Sequence, residues 1–468
     1  MKEVAEVITN VLIAAIVIYC SYKMFKNTAG TLSLGKINII SFVYYLCLLQ
    51  CLCGAILVSL EYDEHYMLDK LIFPAESIKS TVFAVYFMML ALPFFIYVIF
   101  KIFRFDAQRE YSGFLNGKIE EKSNNIVFIC IAIIVAIQVI ALIVLLYKIG
   151  YIPIIKMFFH DSNFDLSVER QINDQIQVLG VSYIKNIVIL FGIPIISYIT
   201  AAYALANREL KWTILAIICF GMALITKTYD FSKSPVVFHL FVYLLIFIYY
   251  KGGIKNKIVL LFGGAMLGIL LVFYRIFGYE GSFFDIYNGI LGRTLFTQFG
   301  TLCCHFDMFP DIFGYLEGKS LYPTVLKIIG QDPETHIRSA QLVMEFYGSD
   351  RVYEGTAGVM NAAFIGEAYA NWGWIGVFSS IIWVGLIIAL LFIVIMKIKK
   401  TPATLAFLAV MTQMIGSMTQ GGFVEFIYSS SILLTVMGFL VIIYLNEIIE
   451  GFTRFVYRLS FSKGKTKL

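Results

Sequence analysis

Long apolar runs separated by short polar stretches dominate the chain. A helix that crosses a bilayer needs about 20 predominantly apolar residues. Eleven runs fit that description, at roughly 4–22, 37–60, 80–100, 125–147, 184–206, 212–226, 235–250, 257–274, 372–396, 402–419 and 430–447. The sixth and seventh are short, and only a brief polar stretch around Lys227 to Ser234 separates them. The pattern predicts an all-α, polytopic membrane helix bundle of about 11 spans, read as a single integral membrane domain over 1–468. The first run lacks a basic leader and a small-residue cleavage site, so it reads as a retained span and not as a signal peptide. No internal repeat is visible.

Composition removes the soluble alternatives. Apolar residues make up 60%, charged residues 14%, and the mean hydropathy is +0.83. A soluble domain is about a quarter charged, so a soluble enzyme, a nucleic-acid-binding domain and a disordered chain are all excluded. The net charge of +5 matters less than its placement. Most of the 36 basic residues fall in one alternating set of loops. That set holds Lys23, Lys26, Lys36, Lys101, Arg104, Arg109, Lys118, Lys122, Arg208, Lys211, Lys251, Lys255, Lys257, Lys397, Lys399 and Lys400, and continues in the tail from Arg454 to Lys467. The positive-inside rule puts this set in the cytoplasm. The N-terminus is then outside and the C-terminus inside. No GxxxxGK[ST] loop occurs, which argues against an ATP-driven pump.

Two loops on the opposite side carry concentrated polar chemistry. The smaller, 148–183, holds His160, Asp161, Asp165, Glu169, Arg170 and Asp174. The larger, 275–371, runs from Arg275 through Arg293, His305, His336, Arg338 and Arg351 to Glu367. Within it, SAQLVMEFY (339–347) predicts a helix with Ala340, Val343 and Phe346 on one face. A loop of this length with its own helices reads as functional; the plainer reading is a solvated cap. Other polar features have plain readings beside functional ones. Lys233 in TKTYDFSKSP (226–235) fits a snorkelling lysine. Glu367, just before the ninth span, fits a helix-start acid. Glu425 and Gln420 in SMTQGGFVEFIY (417–428) fit a structural turn. His239 fits a buried, hydrogen-bonded histidine, and the cluster Glu61, Asp63, Glu64 and His65 fits a solvated loop. Gly366, Gly373 and Gly376 allow close helix packing, and Trp372 and Trp374 fit an interfacial belt. Most of the eight cysteines lie in apolar runs, and no CxxC pair or His-plus-Cys spacing suggests zinc or redox chemistry. Cys303 and Cys304 are adjacent, which disfavours a bridge between them. No DxD motif stands in these loops, so no metal and no cofactor are expected.

The block FIGEAYANWGWIG (364–376) resembles the end of the large outer loop in bacterial oligosaccharide repeat-unit polymerases, the O-antigen polymerase (Wzy) family. SKSP (232–235), GRTLFTQFG (292–300) and FPDIFGYLEGKSL (309–321) are similar to that family's pattern. The resemblance covers mainly residues 226–390. It implies a GT-C-like membrane glycosyltransferase in the cytoplasmic (inner) membrane. Such an enzyme joins undecaprenyl-diphosphate-linked oligosaccharide repeats into a surface polysaccharide, an O-antigen, lipopolysaccharide or capsule glycan, with a chain-length regulator as partner and no nucleic acid. The chemistry has two demands. An acceptor hydroxyl must lose a proton, and a leaving lipid diphosphate must be stabilised. Histidine suits the first, which makes His336 the leading candidate base and Glu367 the second. Arginine suits the second. The resemblance implies essential arginines in both outer loops, here Arg170 and Arg293, with Arg275, Lys233 and Arg338 in support. An O-antigen ligase uses the same chemistry, with a different product length. A lipid-linked oligosaccharide flippase or other transporter is the alternative of another class, and transporters carry repeats and charged or broken helices at the midplane. Here the ionisable residues cluster in the loops.

Overall fold

The computed structural model describes residues 2–120, 125–159, 166–178, 180–276, 284–287, 289–355, 357–445 and 448. Among these residues there is no β-strand, and eleven helices are long and apolar enough to cross a membrane. The protein is a multi-pass, all-α membrane bundle. Each predicted span is present, although the first, third and ninth helices extend well beyond their apolar runs, to Lys2–Ala29, Pro74–Ile102 and Ala363–Lys397. The first helix runs Lys2–Ala29 and includes Lys23 and Lys26, whose ammonium groups sit over the rings of Tyr19 and Tyr22 at 5.9 Å. That is how a lysine stem stays helical while its head reaches the interface. The third runs Pro74–Ile102 and starts earlier than the apolar run, because Pro74 at the first helical position and Glu76 in the first turn favour a helix start. The basic tail from Arg454 to Lys467, together with His160, Asp161 and Asp165, lies outside the described residues.

The chain divides into two compact units. The first comprises Met1–Phe114, Ile254–Lys397 and Met411–Ser429. In it the third span packs along the ninth, where Gly385 lets Phe95 and Leu92 approach. The loop 275–371 contains a helix, Thr297–Met308, that packs against both of these spans. Close packing of this helix depends on missing side chains. A Cβ on Gly54 of the second span would come within 2.7 Å of the Leu295 carbonyl and the Phe299 side chain. A Cβ on Gly366 would come within 2.7 Å of Leu302. Cys303 and Cys304 are buried free thiols on this helix. The helix Ser339–Tyr347 also forms, but its buried face is Ala340, Val343, Met344 and Tyr347, while Phe346 is exposed. The i, i+3, i+4, i+7 stripe fixes that choice, and Phe346 stands outside it. Of the cluster at the end of the second span, Glu61, Asp63 and Glu64 are exposed, but His65 is buried and stacks on Phe296 at 5.6 Å.

The second unit comprises Leu115–Gly253, Ile398–Val410 and Ser430–Leu468. Its fifth span packs against the sixth and seventh, with Tyr203 stacked on the buried Trp212 at 4.5 Å. His239 is buried, and its Nδ1 lies 2.7 Å from the Tyr198 hydroxyl. Buried Lys400 donates to the carbonyls of Leu115 and Gly117, at 2.7 and 3.0 Å.

One buried carboxylate ties three parts of the first unit together. Asp307, 1% exposed, accepts from the backbone N–H groups of Ile72 and Phe73 at 2.7 and 2.8 Å, and from the hydroxyls of Ser77 and Tyr347 at 2.6 Å each. It thereby joins the start of the third span and the helix Ser339–Tyr347 to the helix Thr297–Met308. Removing one partner of a buried charged network strands its donors, at about 1–3 kcal/mol each. Asp307→Ala is therefore expected to destabilise the detergent-purified protein by about 3 kcal/mol or more. A thermal unfolding midpoint equal to wild type would contradict this role.

Candidate functional site

The ninth span is not one straight helix. Ala363–Lys397 breaks at Trp372 (φ −140°, ψ 19°) and Gly373 (φ 59°, ψ −144°). Glycine adopts such a positive φ at little cost, and a Cβ here would also come within 2.7 Å of the Tyr315 hydroxyl. The break leaves a short buried leg, 363–371, ahead of the long apolar one. A helix end exposes unpaired carbonyls. Here those of Ala370 and Asn371 accept from the N–H groups of Leu316 and Glu317, at 2.9 and 3.1 Å. Asn371 completes the joint. Its Oδ1 accepts from Gly318 N–H at 3.0 Å, and its Nδ2 donates to Ser320 Oγ at 2.7 Å and to the Glu367 carbonyl at 2.8 Å. The segment 316–321 in turn holds 336–338. Ile337 N–H donates to the Lys319 carbonyl at 2.9 Å, and His336 Nδ1 lies 2.9 Å from the Leu321 carbonyl.

These joints enclose a cavity of about 200 Å³. Glu367, His336 and Arg338 line it, together with Glu425, His305, Tyr322, Asn361 and Ser339. Glu367 is 7% exposed, and its Oε2 accepts the Val424 N–H at 3.0 Å. The carboxylate fits because Gly422 has no side chain, since a Cβ there would overlap Oε2. Glu425 lies against Gly421, whose Cβ would come to 3.3 Å from both of its oxygens. The two carboxylates repel each other, and both feel the positive charge of Arg338. The same charges converge on Tyr322. Burial first, then Glu425 and Glu367, hold its phenol above the usual value, while Arg338 opposes them.

The two histidines are held alike. A carbonyl oxygen only accepts, so the contact with Leu321 puts a proton on Nδ1 of His336 and leaves Nε2 as the basic nitrogen. His305 makes the same contact with the Thr301 carbonyl at 2.9 Å. Burial lowers its pKa to about 4, so it is neutral at physiological pH. The cavity thus joins proton acceptors to one guanidinium. Among the described residues no group of three or more His, Cys, Asp or Glu could hold a metal ion.

The remaining predicted residues lie elsewhere. Exposed Arg293, on the helix Ile290–Leu295, rests on Tyr274 of the eighth span, with Nη1 3.2 Å from the hydroxyl and the guanidinium 5.8 Å over the ring. Arg275, exposed, follows Tyr274 in the chain. Arg170 and Lys233 belong to the second unit. There Arg170 Nε donates to the Asp230 carbonyl at 2.9 Å, and Asn173 and Tyr229 exchange two hydrogen bonds, so the smaller loop is fastened to TKTYDFSKSP. Lys233 is half-buried at the start of the seventh span.

Glu425 is more than the turn residue its sequence setting suggests. It sits on the short helix Val424–Ile427 and lines the cavity. His305 is named in the sequence only among the polar residues of its loop, and Tyr322 is not named at all. The one available signal was the Gly421–Gly422 pair, which announces a close approach without naming its partner. The chain matches no known protein family, no curated protein and no solved structure.

The two glycines make a graded test. Gly422→Ala forces the Glu367 carboxylate or the backbone to move and is expected to cost about 1–3 kcal/mol. At Gly421 the added Cβ would ask the Glu425 carboxylate to give by only a few tenths of an ångström, so Gly421→Ala costs less. Unfolding midpoints in that order support the close approach, and equal midpoints for both variants and wild type count against it.

Proposed function

We propose that the protein is a membrane glycosyltransferase that polymerises lipid-diphosphate-linked oligosaccharide repeats on the outer face of the cytoplasmic membrane. The observation that carries this reading is the convergence of His336, Arg338 and Glu367 on one cavity. All three are residue types suited to proton transfer or anion binding. Two of the segments that resemble the repeat-unit polymerases, 309–321 and 364–376, are also those that Asn371 joins. The basic loops, taken as cytoplasmic, leave the loop 275–371 on the outer side.

In this reading the acceptor sugar hydroxyl gives its proton to Nε2 of His336 as its oxygen bonds to the donor's anomeric carbon. The bond from that carbon to the diphosphate breaks, and the electron pair leaves with the lipid diphosphate. In this reading the guanidinium of Arg338 stabilises the charge that develops on those oxygens. The charges of Glu425 and Glu367 attract Arg338 at this cavity. Arg293 and Arg275 are further candidate diphosphate contacts in the same loop. Undecaprenyl-diphosphate-linked oligosaccharide is the substrate, and a chain-length regulator is the expected partner.

The test is a strain lacking the chain, complemented with variants. The deletion is expected to accumulate single lipid-linked repeats without long glycan. His336→Ala should fall short of wild type by about 10²–10⁴-fold in polymer formation, and Arg338→Ala by about 10²–10³-fold, both at normal expression. Full-length glycan in the deletion strain would end the reading. Long chains stranded on the carrier would point to a ligase instead.

A further inference from the structure

A second, larger cavity of about 570 Å³ lies in the same unit. Its volume falls within the range of small-molecule sites, about 300–1,000 Å³. Asn361 lines both cavities. Thr301, on the wall of the larger, donates from its hydroxyl to the Asn361 carbonyl at 2.6 Å, while the Asn361 side-chain oxygen lies 3.5 Å from Arg338 of the smaller.

The lining chemistry differs between the two. The charged residues of the larger cavity balance, with Lys70 and Arg351 against Asp350 and Glu354. A phosphate site carries an excess of positive charge, and this one does not. Carboxylates that accept from hydroxyls, a guanidinium that donates to them, and the ring of Tyr66 as an apolar face together match an uncharged polyhydroxylated ligand. Thr297 also lines the cavity, and its hydroxyl oxygen is buried with no hydrogen-bond partner. An unsatisfied buried hydroxyl costs stability, which a ligand or water that bonds to it would recover.

We infer that this larger cavity is an oligosaccharide subsite, which seats the glycan of the lipid-linked substrate while its reacting group enters the smaller cavity past Asn361. The inference rests on the glycosyltransferase reading of the smaller cavity. It separates the work of the loop 275–371 into proton transfer and diphosphate binding in one chamber, and sugar recognition in the other.

The experiment uses the full-length protein in detergent. The probe is the free oligosaccharide released by mild acid from the lipid-linked pool of the protein's own source cells. Binding is read by saturation-transfer NMR, and polymer formation is scored separately. The wild type is expected to bind the probe. The double variant Asp350→Asn with Glu354→Gln should weaken binding at least about tenfold, since each change removes a charged acceptor. Thr297→Val should weaken it about three- to tenfold while the unfolding midpoint stays level or rises, a combination that a purely structural hydroxyl does not give. If the wild type does not bind the probe, or if all these variants bind it as wild type does, the subsite is overturned. Binding that depends on these residues in a protein that forms no polymer would support the subsite and sink the polymerase reading. Normal polymer formation with binding indifferent to them would do the reverse.

Discussion

The site depends on how a broken helix satisfies its own backbone. Water is scarce near a bilayer, so exposed carbonyls must find partners within the protein. The break at Trp372 and Gly373 creates such carbonyls, and the segment 316–320 supplies their donors. Asn371 makes the joint specific, because its amide accepts from Gly318 and donates to Ser320 and to the Glu367 carbonyl. That joint reaches three of the cavity's residues, His336, Arg338 and Glu367. The segment that Asn371 holds fixes 336–338 by one backbone bond and by the His336 contact. The leg that it terminates carries Glu367.

Two buried carboxylates in the same unit show why burial alone does not mark a reactive group. A carboxylate has about four acceptor positions. Asp307 receives four hydrogen bonds and has little left to offer a ligand. Glu367 accepts one backbone N–H, from Val424, interacts with Ser320, and lines an open cavity. The first holds elements in place. The second retains hydrogen-bonding capacity in the cavity that Arg338 and His336 also line. The glycine pair 421–422 is the steric counterpart of this arrangement, since it makes room for both Glu367 and Glu425.

The spans were legible because a bilayer imposes a long, simple pattern, and all eleven appear. The helical content of the loop 275–371 was legible from the apolar stripe at 339–347, although Phe346 turned outward because Met344 and Tyr347 complete the buried face. The site was legible in its chemistry and only partly in its geometry. His336, Arg338 and Glu367 are residue types that move protons or bind anions, and all three line one cavity. Glu425 lies 58 positions beyond Glu367, in a segment that reads as a turn, and only the fold brings it to the same wall. Asp307 sits in the apolar stretch CCHFDMF, where nothing in the sequence shows that four donors from two other segments will converge on it. The match of Arg170 rests on loop position, a weaker constraint than a motif. Arg293 rests on Tyr274, and Arg170 on the Asp230 carbonyl of the second unit.

In the proposed reaction one cavity couples proton removal to departure of a lipid diphosphate. The decisive measurement is to incubate the purified protein with a defined undecaprenyl-diphosphate-linked repeat and resolve the products by size. A ladder of multiples of the repeat, formed without nucleotide sugar, is the predicted result. Recovery of the unreacted single repeat from well-folded protein would contradict the account.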